Sequence, residues 1–336
     1  MAASMRTIHD SSSDMHSRSS SSDPLSEVLR DFCITGVGYA RCELTSPWGL
    51  EFPPEDAARF HLVVSGPCWV RVGRDWTELD VGDMVLLPRG AGHGLSNRRH
   101  GKVTRIDALT PEEIGNRSFR LRAGGGGERS LLSCCTVQLG APALHPLLSL
   151  MPPLLRVTNS TITDSLLPVL LAAMADEVRS DRLGAATVMS RLADVVITRV
   201  IRTWVEARAA DTTGWLAAIR DPEMGRALAA VHREPGAPWS VESLAKIART
   251  SRSAFSERFS AVVGVSPGRY VTRWRMHVAT GWLREQKLTV AETAARLGYD
   301  SEASFSRAFK RDVGVPPSAI RREPRASMSI RPNGGL

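Results

Sequence analysis

Two stretches near the end of the chain are close copies of one another: "FSERFSAVVGVSP" (residues 255–267) and "FSRAFKRDVGVPP" (residues 305–317). Each copy contains two phenylalanines four positions apart, a spacing that places both rings on one face of a helix. A serine that can cap a helix, Ser251 or Ser301, precedes each copy, and a glycine that can end the helix follows the phenylalanines. The repeat therefore predicts two helices that each bury one face and expose the other.

An alanine-rich segment precedes each of these helices, "VESLAKIA" in the first copy and "VAETAARLG" in the second. Small alanines let a second helix cross a first one closely, as in a helix-turn-helix unit. Between the two units, residues 267–286 begin with a proline at the first helical position, which predicts one stiff connecting helix. Its apolar positions near helical spacing are Tyr270, Trp274, Val278 and Leu283. We expect this helix to hold the two recognition helices roughly one turn of DNA, about 34 Å, apart.

Positive charge is concentrated in the same region. The chain has a formal net charge of +8, and residues 222–322 contain 17 Lys and Arg against nine acids, a difference equal to that net charge. A basic module beside a neutral one indicates a polyanionic partner. Double-stranded DNA is favoured over a membrane, because no basic amphipathic anchor with exposed Trp or Leu is evident.

Residues 239–322 resemble the AraC/XylS family of bacterial transcription regulators, above all in "AARLGYDSEASFSRAFKRDVGVPPSAI". The resemblance implies an all-α domain in which two helix-turn-helix units enter adjacent segments of the major groove of promoter DNA. It also implies a transcription activator that contacts RNA polymerase. The groove-facing positions implied by the resemblance are Arg252, Ser253, Ser256 and Glu257 on the first recognition helix, and Glu302, Ala303, Ser304, Arg307 and Arg311 on the second.

The chemistry of these positions allows base recognition at some of them. Arg307 can bind a guanine edge with two hydrogen bonds, Glu257 or Glu302 can accept from cytosine N4, and Ala303 can contact a thymine methyl. The alternative for any single arginine is a phosphate contact, which positions the protein without specifying sequence. The alternative for Glu302 is a favourable interaction with the positive end of its own helix.

The composition changes several times along the chain, and these changes predict a multidomain α and β protein. Residues 1–23 are rich in serine and predict a disordered tail. Residues 24–140 consist of short β-branched and aromatic runs separated by Gly, Pro and Asp, which predicts a β-barrel or sandwich. Residues 141–221 have helical periodicity, residues 222–322 form the DNA-binding part, and residues 323–336 form a second tail. Because no apolar run is long enough to cross a bilayer, we expect a cytoplasmic protein.

Two apolar stripes at helical spacing predict an antiparallel hairpin within residues 141–221. The first stripe is Leu166, Leu170, Met174 and Val178, and the second is Val188, Leu192, Val195, Val196, Val200 and Trp204. One interpretation is that both stripes pack on the β domain. The other is that one face of the hairpin forms a homodimer.

The segment "GDMVLLPRGAGHGLSN" (residues 82–97) has the spacing of Gly, Pro, Gly, His and Asn found in the second cupin motif, and the domain therefore resembles a cupin-like β-barrel sensor. His93 points inward in that motif. The first cupin motif is not intact, since Arg59 stands where the family has a glutamate, although His61 keeps the inward parity of a strand. Because metal sites need three or four ligands, His61 and His93 are expected to contact an effector or to be hydrogen-bonded core histidines. They would bind a metal only if Cys134 or an acid completed the site.

The five cysteines include no C-x-x-C pair. Cys42 and Cys134 fall where a branch of the regulator family that responds to hypochlorite-type oxidants has its reactive cysteines, and the alternative is that both only pack. An oxidised thiol could shift the barrel between two packings. We therefore expect a regulator controlled by a small effector or an oxidant, with no cofactor. The competing hypothesis is a metal-dependent cupin enzyme with an appended basic domain.

Overall fold

The computed structural model describes residues 34–55, 57–115, 118–139, 146–158, 164–180, 182–208, 214–284 and 288–322. The two predicted tails and Cys33 lie outside these residues. Within them, the predicted order is observed: a β domain comes first, a helical hairpin packs on it, and an all-α part follows.

The β domain consists of two sheets that enclose a core. The strands are β1 (Ile34–Thr45), β2 (Gly49–Phe52), β3 (Ala58–Ser65), β4 (Cys68–Val72), β5 (Asp75–Leu79), β6 (Met84–Leu87), β7 (His93–Ser96), β8 (Thr104–Arg105), β9 (Glu112–Gly115), β10 (Ser118–Gly124), β11 (Arg129–Leu139) and β12 (Leu155–Val157). The seven-stranded sheet has the order β12-β6-β3-β11-β1-β10-β9, and the five-stranded sheet has the order β5-β4-β7-β2-β8. Most neighbours are antiparallel, while β1 pairs with β10 and β2 with β8 in parallel.

Strand β3 of the seven-stranded sheet is buried on both faces, and its successive side chains point alternately to one face and the other. On β3, Val63 points into the space between the sheets and packs in the barrel core with Leu50 and Leu132. Phe60 and Leu62 point the other way and belong to a second core, which the helices cover. The sheet and the helices therefore bury each other's apolar side chains.

The covering helices are α1 (Pro146–Leu150), α2 (Leu167–Ser180) and α3 (Ala185–Ala207). Helix α2 lies against β3, and α3 lies against both α2 and β1. Packing of the hairpin on the β domain is thus observed. The sequence analysis did not predict β12, which lies inside the segment expected to be helical and pairs with β6. Its strand conformation depends on pairing with β6, and its own three residues do not predict that pairing.

The predicted apolar stripes are partly wrong. Helix α3 buries Met189, Ala193, Val196, Ile197, Val200, Ile201 and Val205. Val188 and Val195, which were assigned to the same stripe, are 44% and 46% exposed, and Leu166 of the first stripe is also exposed. Neighbouring apolar positions in a helix differ by about 100°, so a stripe chosen by spacing alone can be displaced by one residue from the buried face.

The C-terminal part contains the two predicted helix-turn-helix units. Its helices are α4 (Trp215–Arg220), α5 (Pro222–Arg233), α6 (Val241–Ala248), α7 (Arg252–Val263), α8 (Pro267–Arg284), α9 (Val290–Arg296), α10 (Glu302–Val313) and α11 (Pro317–Arg322). Helices α6 and α7 form the first unit, and α9 and α10 form the second. A capping box of Thr289 and Glu292 begins α9, and Gly264 and Gly314 end the recognition helices with positive φ.

Helix α8 connects two separate cores. Tyr270 and Trp274, in its first half, belong to the large core that runs from the β-sheet through the hairpin into the first unit. Met276 and Leu283, in its second half, pack with Phe305 and other residues in a core confined to the second unit. The second helix-turn-helix unit therefore has a core of its own, and it contacts the rest through α8 and through the Gly236 backbone, which lies against Arg296 and Gly298.

We predict that Phe305→Ala lowers the free energy of unfolding of the second unit by about 3–5 kcal/mol, because the ring is fully buried and its removal leaves a cavity. Hydrogen exchange measured by mass spectrometry should show faster exchange in α9–α11 and unchanged protection in α6 and α7. Equal loss of protection in both units would contradict the separation of the two cores.

Candidate DNA-binding surface and sensor barrel

Each recognition helix is fixed by a serine cap and a buried pair of rings. The side chain of Ser251 accepts a hydrogen bond from the Ala254 amide, and Ser301 does the same for Ser304. The rings of Phe255 and Phe259 lie 5.4 Å apart, and those of the corresponding pair in α10 lie 5.6 Å apart; all four are buried. The face opposite these rings is left facing outward on both helices.

Seven of the nine predicted DNA-contacting residues are exposed: Arg252, Ser253, Glu257, Glu302, Ala303, Arg307 and Arg311. Ser256 and Ser304 are half-buried. The Ser304 hydroxyl donates to the Ser301 carbonyl at 2.8 Å, so this hydroxyl is already used inside the cap. The predicted set therefore shares an outward surface, with the two serines at its edge.

The arginines of the recognition helices differ in what holds them. The side chain of Arg307 makes no hydrogen bond or ion pair with any residue in the described part of the chain. Arg258 on α7, which the sequence analysis did not select, is instead ion-paired to Asp221 and Glu223. Asp221 also caps α5 through the amide of Met224. Arg258 therefore fastens the first recognition helix to α5 and is not available to a base, whereas Arg307 is.

A buried polar network, also missed by the sequence analysis, holds α4, α5 and α8 together. The Trp215 indole donates to the Tyr270 hydroxyl at 2.9 Å, and this oxygen lies 2.7 Å from Nε2 of His232. Because an indole only donates, the tyrosine hydroxyl can in turn donate to His232. The His232 ring stacks on Trp274 with ring centres 3.6 Å apart. Burial, and then the neighbouring His232, lower the pKa of His277 to about 3, so the His277 ring is neutral at neutral pH.

In the barrel, the two predicted histidines meet. Nε2 of His61 lies 2.7 Å from Nε2 of His93, and Nδ1 of His93 lies 2.7 Å from the Ala91 carbonyl. Since the carbonyl can only accept, His93 carries its proton on Nδ1 and accepts from His61. This leaves Nδ1 of His61 as a buried acceptor without a hydrogen-bond partner in the described part of the chain.

Both histidines are neutral at physiological pH. Burial, followed by the charges of His93 and Arg59, holds the pKa of His61 well below its usual value. Burial lowers the pKa of His93 to about 4, although its hydrogen bond to the Ala91 carbonyl opposes the shift. The ring of Phe52 stacks on His93 at 4.7 Å, which closes the apolar surroundings of the pair.

Arg59, at the position of the missing cupin glutamate, is buried and ion-paired with Glu55. Its guanidinium also lies 5.3 Å from the centre of the Phe52 ring. A cation at this point opposes the binding of a second one. Among the described residues, no group of three His, Cys, Asp or Glu side chains could hold a metal ion, and neither Cys134 nor an acid completes a site with the two histidines.

The two cysteines singled out in the sequence also meet. Cys42 on β1 and Cys134 on β11 are both buried, and their sulfurs lie 3.5 Å apart. Their hydrogen bond, and then burial, raise the pKa of Cys134 well above its usual value, so the thiol stays protonated at rest. Cys134 is also the register partner of His61 on β3. The thiol pair and the histidine pair therefore line one barrel interior.

Comparison with known proteins agrees with this architecture. A family model described as Cupin matches residues 23–206, and one described as Helix-turn-helix domain matches residues 244–323. A putative AraC-like transcription regulator from Streptomyces lividans is 31% identical over 310 residues, which cover 90% of this chain and 99% of the relative. The RCS-specific HTH-type transcriptional activator RclR of Escherichia coli is 28% identical, with 89% and 97% covered. ToxT from Vibrio cholerae O395 matches 85% of this chain and 96% of its own at 13% identity, with a TM-score of 0.34.

No helix in the described part of the chain is long and apolar enough to span a membrane. The relatives are named as regulators of transcription, which favours regulation over the competing hypothesis of an enzyme. Together with the matched domain models and the paired recognition helices, these comparisons show that the chain belongs to the AraC-like transcription regulators and carries an N-terminal cupin domain.

Proposed function

We propose that the chain is a dimeric transcription activator that recognises promoter DNA with α7 and α10 and changes its DNA affinity when the cupin barrel receives a signal. The observation that carries this proposal is the pair of recognition helices whose outer faces are exposed while the opposite phenylalanines are buried. Because its proposed partner is chromosomal DNA, we expect the protein in the cytoplasm. As an activator, it would contact RNA polymerase.

The competing hypothesis of a cupin enzyme has less support in the barrel. Two neutral histidines in contact with each other leave Nδ1 of His61 as an acceptor for a ligand, but they supply neither the ligand set of a metal site nor a charged acid–base pair. Effector contact is the role that His61 and His93 can perform. Arg59 makes the same interior less suitable for a cation.

The first signal that this interior could receive is an oxidant. Hypochlorous acid would remove two electrons from the thiols of Cys42 and Cys134: a sulfur–sulfur bond forms, both thiol protons leave, and the oxidant is reduced to chloride and water. The sulfurs would move from 3.5 Å to about 2.05 Å. In register, Cys42 faces Leu132 and Cys134 faces Ala40, so the bond would be diagonal and would shift β1 against β11.

Such a shift could be passed to the helices. Cys135, which follows Cys134 on β11, points to the opposite face of the sheet and is buried in the core that contains α2 and α3. Burial raises its pKa to about 12, so it stays a packing thiol. A displacement of β11 would therefore disturb the packing of the hairpin, which shares its core with the first helix-turn-helix unit.

The second requirement is a dimer surface. On α3, Val188 and Val195 lie two turns apart and are exposed, with Leu192 half-buried between them. Arg191 and Asp194 lie beside this strip, and one carboxylate oxygen of Asp194 is buried without a hydrogen-bond partner in the described residues. Around a two-fold axis, opposite charges so close together can pair with their copies on a second chain. This makes α3 our candidate for the homodimer interface.

We predict that Arg307→Ala weakens binding to the cognate duplex by roughly 1–3 kcal/mol, because an unpaired, exposed guanidinium would lose its contact with a guanine edge. Cognate duplexes can be selected from genomic DNA with the wild-type protein and compared with random duplexes by fluorescence anisotropy at fixed salt. Arg307→Lys is the matched control, since it keeps the charge but not the two-pronged contact. Equal losses on cognate and random DNA would contradict base recognition.

We predict that one equivalent of hypochlorous acid removes two hydrogens from the intact chain and links Cys42 to Cys134, as mapped by peptide mass spectrometry. The mutations Cys42→Ser and Cys134→Ser should each abolish both the link and any change in DNA affinity. Cys68→Ser is the control, because Cys68 is buried in the same barrel core. If Cys134→Ser still responds to the oxidant, the thiol pair is a packing feature only.

We predict that the double mutation Val188→Asp, Val195→Asp converts the dimer into a monomer, since it would place charge in the apolar strip on α3. Sedimentation equilibrium gives the mass directly. Val169→Asp serves as the control, because Val169 is also exposed but lies on α2. A wild-type protein that is monomeric at micromolar concentration, or a double mutant that stays dimeric, would rule out this interface.

A further inference from the structure

A cleft of about 650 Å³ opens on the seven-stranded sheet, outside the barrel core. It is bordered by β1, β10 and β11 together with the end of β3. Arg41 and Glu43 have the same strand parity as Tyr39, which belongs to the core under the helices. The cleft therefore lies on the helix-covered face of the sheet, beyond the area that the helices cover, and not on the face that carries the histidines and the thiol pair.

The charged side chains that line the cleft are Arg41, Glu43, Arg122 and Arg129, and they carry a net charge of +2. Glu43 accepts a hydrogen bond from Arg122 at 3.0 Å and forms an ion pair with Arg41 at 3.0 Å, and these contacts hold the two guanidiniums in place. Arg120, next to the cleft, also approaches Glu43 at 3.6 Å. Glu112 pairs with Arg120 at 3.6 Å and with Arg122 at 3.5 Å. Two carboxylates therefore face four arginines, and a net charge of +2 remains.

Arg129 completes this excess of positive charge. The side chain of Arg129 makes no hydrogen bond or ion pair with any residue in the described part of the chain. It stands at the start of β11, where its register partner is Thr45 of β1. Its guanidinium can therefore turn toward a molecule in the cleft without breaking an existing contact.

We propose that this cleft is a binding site for a small organic oxyanion, a carboxylate or phosphate, that modulates DNA binding. Guanidinium groups bind both anions with two parallel hydrogen bonds, and several of them around one cleft give charge and geometry together. The volume is in the range of pockets for small molecules, and Leu131, the register partner of Glu43, supplies apolar wall for a carbon skeleton. A neutral or cationic ligand would gain nothing from the net charge.

The position of the cleft connects it to the helices. The Val64 carbonyl, next to the cleft residue Ser65, accepts a hydrogen bond from Arg179 of α2 at 3.2 Å. Leu131 packs against the core that continues through α2 and α3 into the first helix-turn-helix unit. An anion that draws the arginines inward would act on this packed region. The effect on DNA affinity rests on the proposed function, whereas binding of the anion does not.

The experiment uses the full-length protein and two probes, inorganic phosphate and succinate, titrated by calorimetry at constant ionic strength. At least one probe should bind, and the arm that binds more tightly distinguishes a phosphate site from a carboxylate site. Arg129→Gln and Arg122→Gln should each weaken binding about tenfold, the loss expected for one charge-assisted contact. Glu43→Gln should strengthen it, because the net charge of the cleft rises to +3, whereas a purely structural role for Glu43 would give the opposite result.

Arg74→Gln is the matched control, since it removes the same charge from an exposed turn of the barrel and should leave binding within about twofold of wild type. The inference is wrong if neither probe binds, or if Arg122→Gln and Arg129→Gln bind as the wild type does. A second measurement follows DNA affinity with and without the better probe, using the selected genomic duplexes. Arg129→Gln should keep the anion-free affinity and lose the response to the anion.

The two hypotheses fail differently. If the anion-free protein binds no duplex, the proposed regulatory function fails, while calorimetry still reports on the cleft. If the wild type binds DNA but its affinity is unchanged by a probe that binds the cleft, the modulating role is wrong and the regulator stands.

Discussion

The inner strands of the seven-stranded sheet, such as β3, are buried on both faces, and this constraint organises the molecule. Phe60 and Leu62 on β3 cannot face water at reasonable cost, so the hairpin of α2 and α3 must cover them. The same core then continues through α4 and α5 to α7 and the first half of α8. The sensor domain and the first DNA-binding unit therefore share one continuous apolar core.

The second helix-turn-helix unit stands outside this arrangement. Its phenylalanines pack in a core of their own, and Val278 on α8 touches both cores. A change in the hairpin can reach α7 through the packing of α4 and α5 and through the ion pairs of Arg258. It can reach α10 through α8 and through the loop at Gly236, whose backbone lies against Arg296 and Gly298. A signal from the barrel would thus act first on α7 and on the angle between α7 and α10.

Much of this could be predicted from the sequence where the determinants are local. Ser251, Ser301 and the spaced phenylalanines specify the recognition helices within a dozen residues, and strand parity alone turns His61 inward. The contacts across the fold could not be predicted in this way. That Arg258 would meet Asp221, 37 positions earlier, depends on how α5 crosses α7.

The same limit applies to the two clusters in the β domain. Both members of the thiol pair were identified by resemblance, but their 3.5 Å separation depends on the register of β1 against β11. The arginine cleft had no sequence signal at all, since its charged residues come from three strands and look like ordinary polar positions of exposed edges. Charge clusters formed by sheet register become visible only when the strand order is known.

These two clusters differ in the chemistry they can accept, and the difference follows from water. Inside the barrel the two histidines are neutral because burial penalises their charged forms, and the hydrogen bond with Cys42, together with burial, keeps the Cys134 thiol protonated. That interior can respond to a neutral ligand or to a covalent change, because burial also disfavours a charged ligand. On the outer face, Arg122 and Arg129 are exposed to water, and an anion bound there keeps part of its hydration. One β-sheet thus offers an uncharged signal and a charged signal separate surfaces, and both surfaces adjoin the same strands, β1 and β11, on which the hairpin rests.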